Sequence, residues 1–333
     1  MKNSKLLLCG IDVSAKELVV AIDPGNGRLW EGVFANDAVG RRQLTRRLTR
    51  TKATARVCVE ATGVYHLDLC LALQAASGVE VMVANPRITK DFARAQLRRS
   101  KTDRTDALSL LEFVRRMDFE LWSPPSASIL GLRALSRRIQ ALLVTRAQEK
   151  NRLHADDSVE ATPLAIRESI ERHLEALNSE IDSLTASAIE IVSADAKLAP
   201  RFAHLVSVKG IAQASAVTWL AELSVLPDDL DPRQWVAHAG LDPRHSESGT
   251  SVKASVRISK VGNRHLRAAL FLPAMVASQH EPRVRAYYEK LIARGKKPMQ
   301  ALVAVMRKLL HPIHGRFEHD ADFDGTKFFA ETA

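Results

Sequence analysis

Along the first third of the chain, apolar residues come in short continuous runs rather than stripes. Leu6-Leu7-Leu8-Cys9-Gly10-Ile11 runs into Asp12, and Glu17–Asp23 and Arg28–Ala35 follow across the turn signal Pro24-Gly25-Asn26-Gly27. These three segments predict an antiparallel meander. Arg56–Glu60 reads as a fourth strand, again ending in a carboxylate, and Val79–Ala84 as a fifth, closed by Asn85-Pro86. Between them the period turns helical. Ala38–Thr49 sets Leu44 and Leu48 inward and Arg41, Arg42, Arg46 and Arg47 outward, and Ala61-Thr62-Gly63 leads into a helix over Tyr65–Ala76. A meander followed by strand–helix alternation predicts a mixed sheet covered by helices, with the first strand central beside the fourth.

After residue 84 the helical period dominates. Ile88–Arg116 reads as basic and mostly helical, with Ala107–Met117 amphipathic through Leu108, Leu111 and Val114. The Pro/Ser-rich stretch Trp122–Ser128 is a linker by composition, so a first domain is expected at 1–124. Ile129, Leu132, Leu135, Ile139 and Leu142 continue at helical spacing. Past a polar break at Asp156-Asp157, the residues Ile170, Leu174, Leu177, Ile181, Leu184, Ala188 and Ile191 trace a heptad seam. These two helices, assigned to 125–198, either pair within one chain or form a dimerising coiled-coil arm. A helical third unit is expected at 199–314. In it, Leu205–Ala216 resembles half of a helix-hairpin-helix, whose turn at Lys209-Gly210 would offer backbone N–H groups to phosphate. Trp235–Gly240 is a short helix, Asp242–Ser251 a polar loop and Ala268–Ser278 an apolar helix. The acid-rich tail 315–333 is expected to be flexible.

Composition adds a partner. The 333 residues are 46% hydrophobic and 26% charged, an ordinary globular balance in a chain too long for one core. The formal net charge is +10. Between Gly240 and Leu310 stand 14 Lys/Arg against four acids, so that segment equals the whole excess. A localised basic surface of this kind suits nucleic acid. Cys9, Cys58 and Cys70 lie in apolar runs without a CxxC pair, which suits buried thiols in a reducing compartment. No segment approaches a membrane span or a signal sequence.

The candidate chemistry lies in four carboxylates. Asp103 and Asp106 are three residues apart at a helix start, so both point the same way; alone they would be acids favoured by the helix dipole. Asp12 and Glu60 end strands expected to be neighbours, and a helix over that edge would bring all four together. Four hard oxygen donors in one cleft suit Mg2+ or Mn2+, and two such ions can stabilise both oxygens of an in-line phosphoryl displacement.

The stretches GIDVSAKELVVAID, CVEATGVY and KTDRTDAL, then SVKGIAQASA, AHAGLDPRHSESG and RISKVGNRHLRAAL, resemble in their order the DEDD insertion-sequence transposases. That family includes the bridge-RNA-guided recombinases and the pilin-gene invertase. The resemblance runs from about Leu6 to about Leu310. It implies a RuvC-like (RNase H-type) α/β domain with a metal site of Asp12, Glu60, Asp103 and Asp106, a coiled-coil segment and an all-α C-terminal transposase domain. It also implies a serine nucleophile just before a loop glycine, matching Ser248, with Ser246 and Ser251 as near neighbours. The implied partners are donor and target double-stranded DNA, a structured bridge RNA and further copies of the chain in a dimer or tetramer. The implied setting is the bacterial cytoplasm, at the nucleoid. Lys101, Arg104, Lys209, Gly210, Arg257, Lys260 and Arg264 are the candidate nucleic-acid contacts.

Two other classes fit the same residues: a RuvC-like hydrolytic nuclease such as a junction resolvase, and a non-catalytic nucleic-acid-binding protein. Smaller constellations read as structural. His311 and His314 have HxxH spacing without a second ligand pair, His154 sits at a solvated helix end, and Tyr65 packs beside the turn after Glu60.

Overall fold

A computed structural model describes residues 6–51, 53–61, 63–96, 102–207, 211–244, 247–248, 252–253 and 257–319. The chain divides into two compact units, Met1–Pro124 and Pro125–Ala333.

The first unit is built on a five-stranded mixed sheet. Strands β1 (Leu6–Val13), β2 (Glu17–Asp23) and β3 (Trp30–Ala35) form the antiparallel meander, and β4 (Thr54–Glu60) and β5 (Val79–Ala84) add in parallel, giving the order β3-β2-β1-β4-β5. Strand β1 is therefore central and pairs β4 in the register Ile11↔Val59. Helices α1 (Ala38–Leu48) and α2 (Leu67–Gln74) cover one face, where Leu44, Leu48, Leu69 and Leu73 pack on Leu7, Cys9 and Ile11. On the other face lie α3 (Pro86–Ala95) and α4 (Asp103–Arg116), so the region expected to be mostly helical over Ile88–Arg116 is so, with a helix starting at the acid pair. Residues 97–101, between them, lie outside the described residues. Helix α4 buries Leu110, Leu111, Phe113 and Val114 against Cys58 and Met82, each side chain contributing about 1.5–3 kcal/mol of transfer free energy.

The second unit is helical. The long helices α5 (Ala127–Asp157) and α6 (Leu164–Ala194) run antiparallel, with Ile139 and Leu142 against Leu177 and Ile181. The heptad seam thus closes within the chain. Toward its C-terminal end Val192 is buried while Ile191 is only partly so, because a straight helix drifts off a 3.5-residue repeat. Helices α7 (Leu198–Val206), α8 (Gln213–Leu223) and α9 (Pro232–His238) follow. Every residue from Ala216 to Leu223 is buried, so α8 is the central helix of this unit, and Leu132 of α5 and Val192 of α6 share its core.

Four two-residue strands then occur, β6 (Pro243–Arg244), β7 (Glu247–Ser248), β8 (Val252–Lys253) and β9 (Arg257–Ile258). Strand β6 pairs β9 and β7 pairs β8, both antiparallel. Helices α10 (Arg264–His280), α11 (Pro282–Ala293) and α12 (Pro298–His319) complete the chain. Helix α10 begins four residues before the expected Ala268 because Asn263 caps it, its side-chain oxygen accepting from His265 N (2.9 Å) and Leu266 N (3.1 Å). Expected to loosen from Gly315, the chain instead stays helical to His319, and Phe317 packs edge-on against Trp235 at 5.5 Å. Residues 320–333 lie outside the described residues. Among the described residues no helix is long and apolar enough to cross a membrane.

Candidate active site

Local geometry sets the four acids at one end of the sheet, where Asp12 feels the charges of the other three. Gly10 and Asp12 alternate onto the same face of β1. A Cβ on Gly10 would lie 2.2 Å from Leu111 N and 2.3 Å from Ala107 O, so α4 rests directly on the strand backbone there. One turn toward its N-terminus, α4 carries Asp103 and Asp106, opposite the position where β1 carries Asp12. The start of α4 is set by a capping box in which Thr102 Oγ1 accepts from Thr105 N at 3.2 Å and Thr105 Oγ1 accepts from Thr102 N at 2.9 Å. Glu60 ends β4, one residue beyond the Ile11↔Val59 pair, and Thr89 Oγ1 of α3 donates to its Oε2 at 2.7 Å.

Asp12 registers this crowding. Its half-buried carboxyl is pushed up to about 6, first by burial, then by the charges of Asp106, Asp103 and Glu60, with a hydrogen bond from the Val13 backbone opposing them. Among the described residues neither Asp12, Asp103 nor Asp106 pairs with a lysine or arginine. Also among the described residues, no three Asp, Glu, His or Cys side chains are grouped to hold a metal ion as they stand. The donor set nevertheless suits a hard divalent cation: carboxylate oxygens, mutually repelling, with no cationic partner for three of the four among the described residues.

The expected phosphate contacts around these acids fare differently. Lys101 lies outside the described residues. Arg104 turns away to Glu31, donating from Nη2 to Oε1 at 2.9 Å and from Nε to Oε2, so its guanidinium is engaged beside β3. The Tyr65 side chain is about half exposed and its carbonyl accepts from Asn36 Nδ2 at 3.1 Å.

In the second unit the polar loop is closed at its root. Ser248 pairs with Val252 in the β7–β8 hairpin. Its side chain, together with Ser246, Ser251, Lys209 and Gly210, lies outside the described residues. Below the hairpin, Arg244 and Arg257 stand directly opposite each other on β6 and β9, both exposed, a like-charge pair that costs stability unless an anion joins it. Ser259 closes the stem, its N–H donating to Asp242 O at 2.8 Å and its Oγ to Asp242 Oδ1 at 2.6 Å. Lys260 follows with φ 53°, the positive-φ non-glycine among the described residues, and Arg264 is exposed on the first turn of α10. Gly262 lets this segment approach α9, since a Cβ there would lie 2.2 Å from His238 O.

Beneath the stem lies a group that the sequence reading overlooked. Glu222 of α8 is fully buried and accepts from Arg137 Nε (2.8 Å), Arg133 Nε (3.2 Å) and Asn263 Nδ2 (2.6 Å). Burial opposes its ionisation, but Arg137, Arg133 and Asn263 outweigh that and hold it below the usual carboxylate range. His238 and His265 nearby are pushed down, in both cases mainly by burial. The available signal was one acid in the otherwise uncharged run Ala214–Leu226. Thr89, by contrast, had no sequence signal beyond its place in a helix opened by Asn85-Pro86.

Comparison with known proteins places these observations. A DEDD-type transposase family model matches residues 9–156, and the model described as "Transposase IS116/IS110/IS902 family" matches 203–289. The pilin gene-inverting protein of Moraxella bovis is 25% identical over 321 residues, 95% of this chain and 97% of its own. An IS110 43.6 kDa protein of Streptomyces coelicolor, uncharacterised by name, is 39% identical over 72 residues, 22% of this chain and 18% of its own. Among solved structures, T. thermophilus RuvC in complex with a Holliday junction substrate aligns at a TM-score of 0.28 and 15% identity, covering 35% of this chain and 99% of that one. The chain belongs to the IS116/IS110/IS902 family of transposases.

Proposed function

We propose that the chain cuts and rejoins DNA through a RuvC-like site of Asp12, Glu60, Asp103 and Asp106 together with a nucleophilic Ser248, on sites chosen by a structured RNA. The observation that carries the catalytic reading is the perturbed carboxyl of Asp12 beside three further acids. Separate strands and a separate helix supply these groups, and among the described residues no lysine or arginine pairs with Asp12, Asp103 or Asp106. Asp12, Asp103, Asp106 and Glu60 would hold the divalent ion, with Thr89 orienting Glu60. When bound, Mg2+ or Mn2+ supplies Lewis-acid charge at the phosphodiester.

Attack by Ser248 Oγ forms a serine–phosphate bond and breaks the phosphorus–oxygen bond of one DNA strand. The leaving DNA hydroxyl takes up a proton, and the serine proton passes to solvent or a base. Attack of a DNA hydroxyl on the phosphoserine reverses these steps and reseals a strand without ATP. Arg257, Lys260 and Arg264, at the root of the serine loop, offset charge on the phosphate. Backbone reading by protein and base pairing by RNA would divide recognition as in other guided systems, with the basic 240–310 segment gripping nucleic acid and a dimer or tetramer as the working assembly.

A denaturing gel of the chain with duplex DNA, its copurified RNA and Mg2+ tests this reading. A covalent protein–DNA band is expected that disappears in Ser248→Ala and in Asp12→Ala, with nucleic-acid binding kept in both. Nicked DNA with no covalent band would make the chain a hydrolytic nuclease, and unaltered DNA a binding protein. Sequencing the copurified RNA tests guidance: a single structured species is expected, and random cellular RNA would remove that part.

A further inference from the structure

The 22 residues 38–59 contain seven Lys/Arg and no acid, a concentration outside the basic C-terminal segment. On α1 and just beyond it, Arg42, Arg46 and Arg50 are exposed. They succeed one another every four residues, so they lie along one side of the helix about 6 Å apart in rise. None of the three has an ion pair or side-chain hydrogen bond among the described residues. Like charges at that spacing destabilise a helix unless an external anion compensates them. Arg41 heads the row, partly buried, and reaches Asn36 Oδ1 at 3.3 Å and Asp68 at 3.5 Å; Asp68 is the one acid on α1 or α2. Arg41, Arg42, Thr45, Arg46 and Leu71 line a groove of about 480 Å³ between the two helices.

The place of this row matters as much as its charge. Asn36, just before α1, donates to Ser14 O (2.9 Å) and to Tyr65 O (3.1 Å). Ser14 follows β1 two residues after Asp12, and Tyr65 follows β4 five residues after Glu60. The row therefore starts at the strand ends that carry the acids and leads away from them, along the face opposite α4. The stretch 38–59 itself contains no aromatic residue, and Trp30 lies under Arg47 at 3.4 Å. That suits a duplex backbone rather than a free single strand.

We propose that Arg42, Arg46 and Arg50 hold the phosphate backbone of the double-stranded DNA flanking the segment engaged by the acidic site. This rests on the DNA-acting reading above, because DNA leaving that site must continue past the strand ends where the row begins. The row is a phosphate-positioning surface, not a sequence reader.

The test is the affinity of the full chain for duplex DNA of arbitrary sequence, measured by fluorescence anisotropy in chelator across a salt series. The Arg42→Ala/Arg46→Ala/Arg50→Ala variant is expected to bind at least about tenfold more weakly near 0.1 M salt, with a log–log salt slope shallower by about 2–3. The corresponding triple lysine variant should keep most of the slope. Unchanged affinity and slope would overturn the proposal, and so would a loss confined to an RNA hairpin. Because nothing is cleaved in this measurement, either result is independent of whether Ser248 forms an adduct.

Discussion

Asp12 carries a cost that its neighbours impose. Its folded carboxyl titrates at about 6 rather than at the ordinary 3.8, so the folded chain holds this proton more tightly than the unfolded one. The contribution is a penalty that grows as pH rises from about 4 through 6 and is fully present at pH 7. A shift of this size on a half-exposed group, discounted for solvent screening, is worth about 1–2 kcal/mol. In chelator, Asp12→Asn should therefore unfold at higher urea than the parent at pH 7.5 and at equal urea at pH 4. Added Mg2+ should stabilise the parent and not the variant; equal stabilisation of both would remove Asp12 from the proposed metal site. Gly10→Ala tests the neighbouring contact. With its new Cβ 2.2 Å from backbone of α4, it should lose about 2–3 kcal/mol and lose DNA cleavage more completely than stability. Intact cleavage would mean the helix can shift without disturbing the acids.

At the level of elements, α8 and α5 are locked by Glu222 between Arg133 and Arg137. Glu222→Gln should destabilise the second unit by about 3 kcal/mol, because it leaves two guanidiniums without their buried counter-charge. A hydrogen-exchange measurement should find the loss in α5, α8 and the start of α10. Protection lost instead from α6 alone would contradict the lock. The elements themselves were largely readable beforehand. Continuous apolar runs bounded by Gly, Pro and Asn specify strands, and the ends of β1 and β4 displayed Asp12 and Glu60 because a strand-terminal acid interrupts an apolar run. The start of α4 was readable too, because the acid pair Asp103/Asp106 marks a helix N-terminus and the helix does begin at Asp103. The role of Gly10 was not: an apolar strand tolerates glycine for several reasons, and only the path of α4 identifies which applies. The ion pair of Arg104 was not readable either, because its partner Glu31 lies 73 residues away on β3.

Across the whole molecule, charge is distributed more unevenly than the +10 total suggests. Met1–Pro124 holds 20 Lys/Arg against 14 acids, and Pro125–Ala333 holds 28 against 24. The basic 240–310 segment of the second unit is therefore offset by acid-rich parts of the same unit, among them α6, with six acids against two arginines. A helix of that sign repels phosphate, so α6 should lie off the nucleic-acid path. Glu171→Gln/Glu175→Gln, both on exposed positions, should leave duplex affinity and its salt slope within about twofold of the parent. A marked gain in affinity would place DNA against α6 after all.

The stem beneath Ser248 has a consequence for how such proteins can be altered. Asp242 and Ser259 are joined by two hydrogen bonds while 16 residues lie between them, so the ends are fixed independently of what the loop contains. Lengthening a closed loop twofold costs only about 0.6 kcal/mol. The segment 243–258 should thus behave as an interchangeable cassette: replacing it with the corresponding loop of a relative, Ile258 kept against the core, should leave the fold intact and, on the proposed role of Ser248, transfer that relative's cutting behaviour.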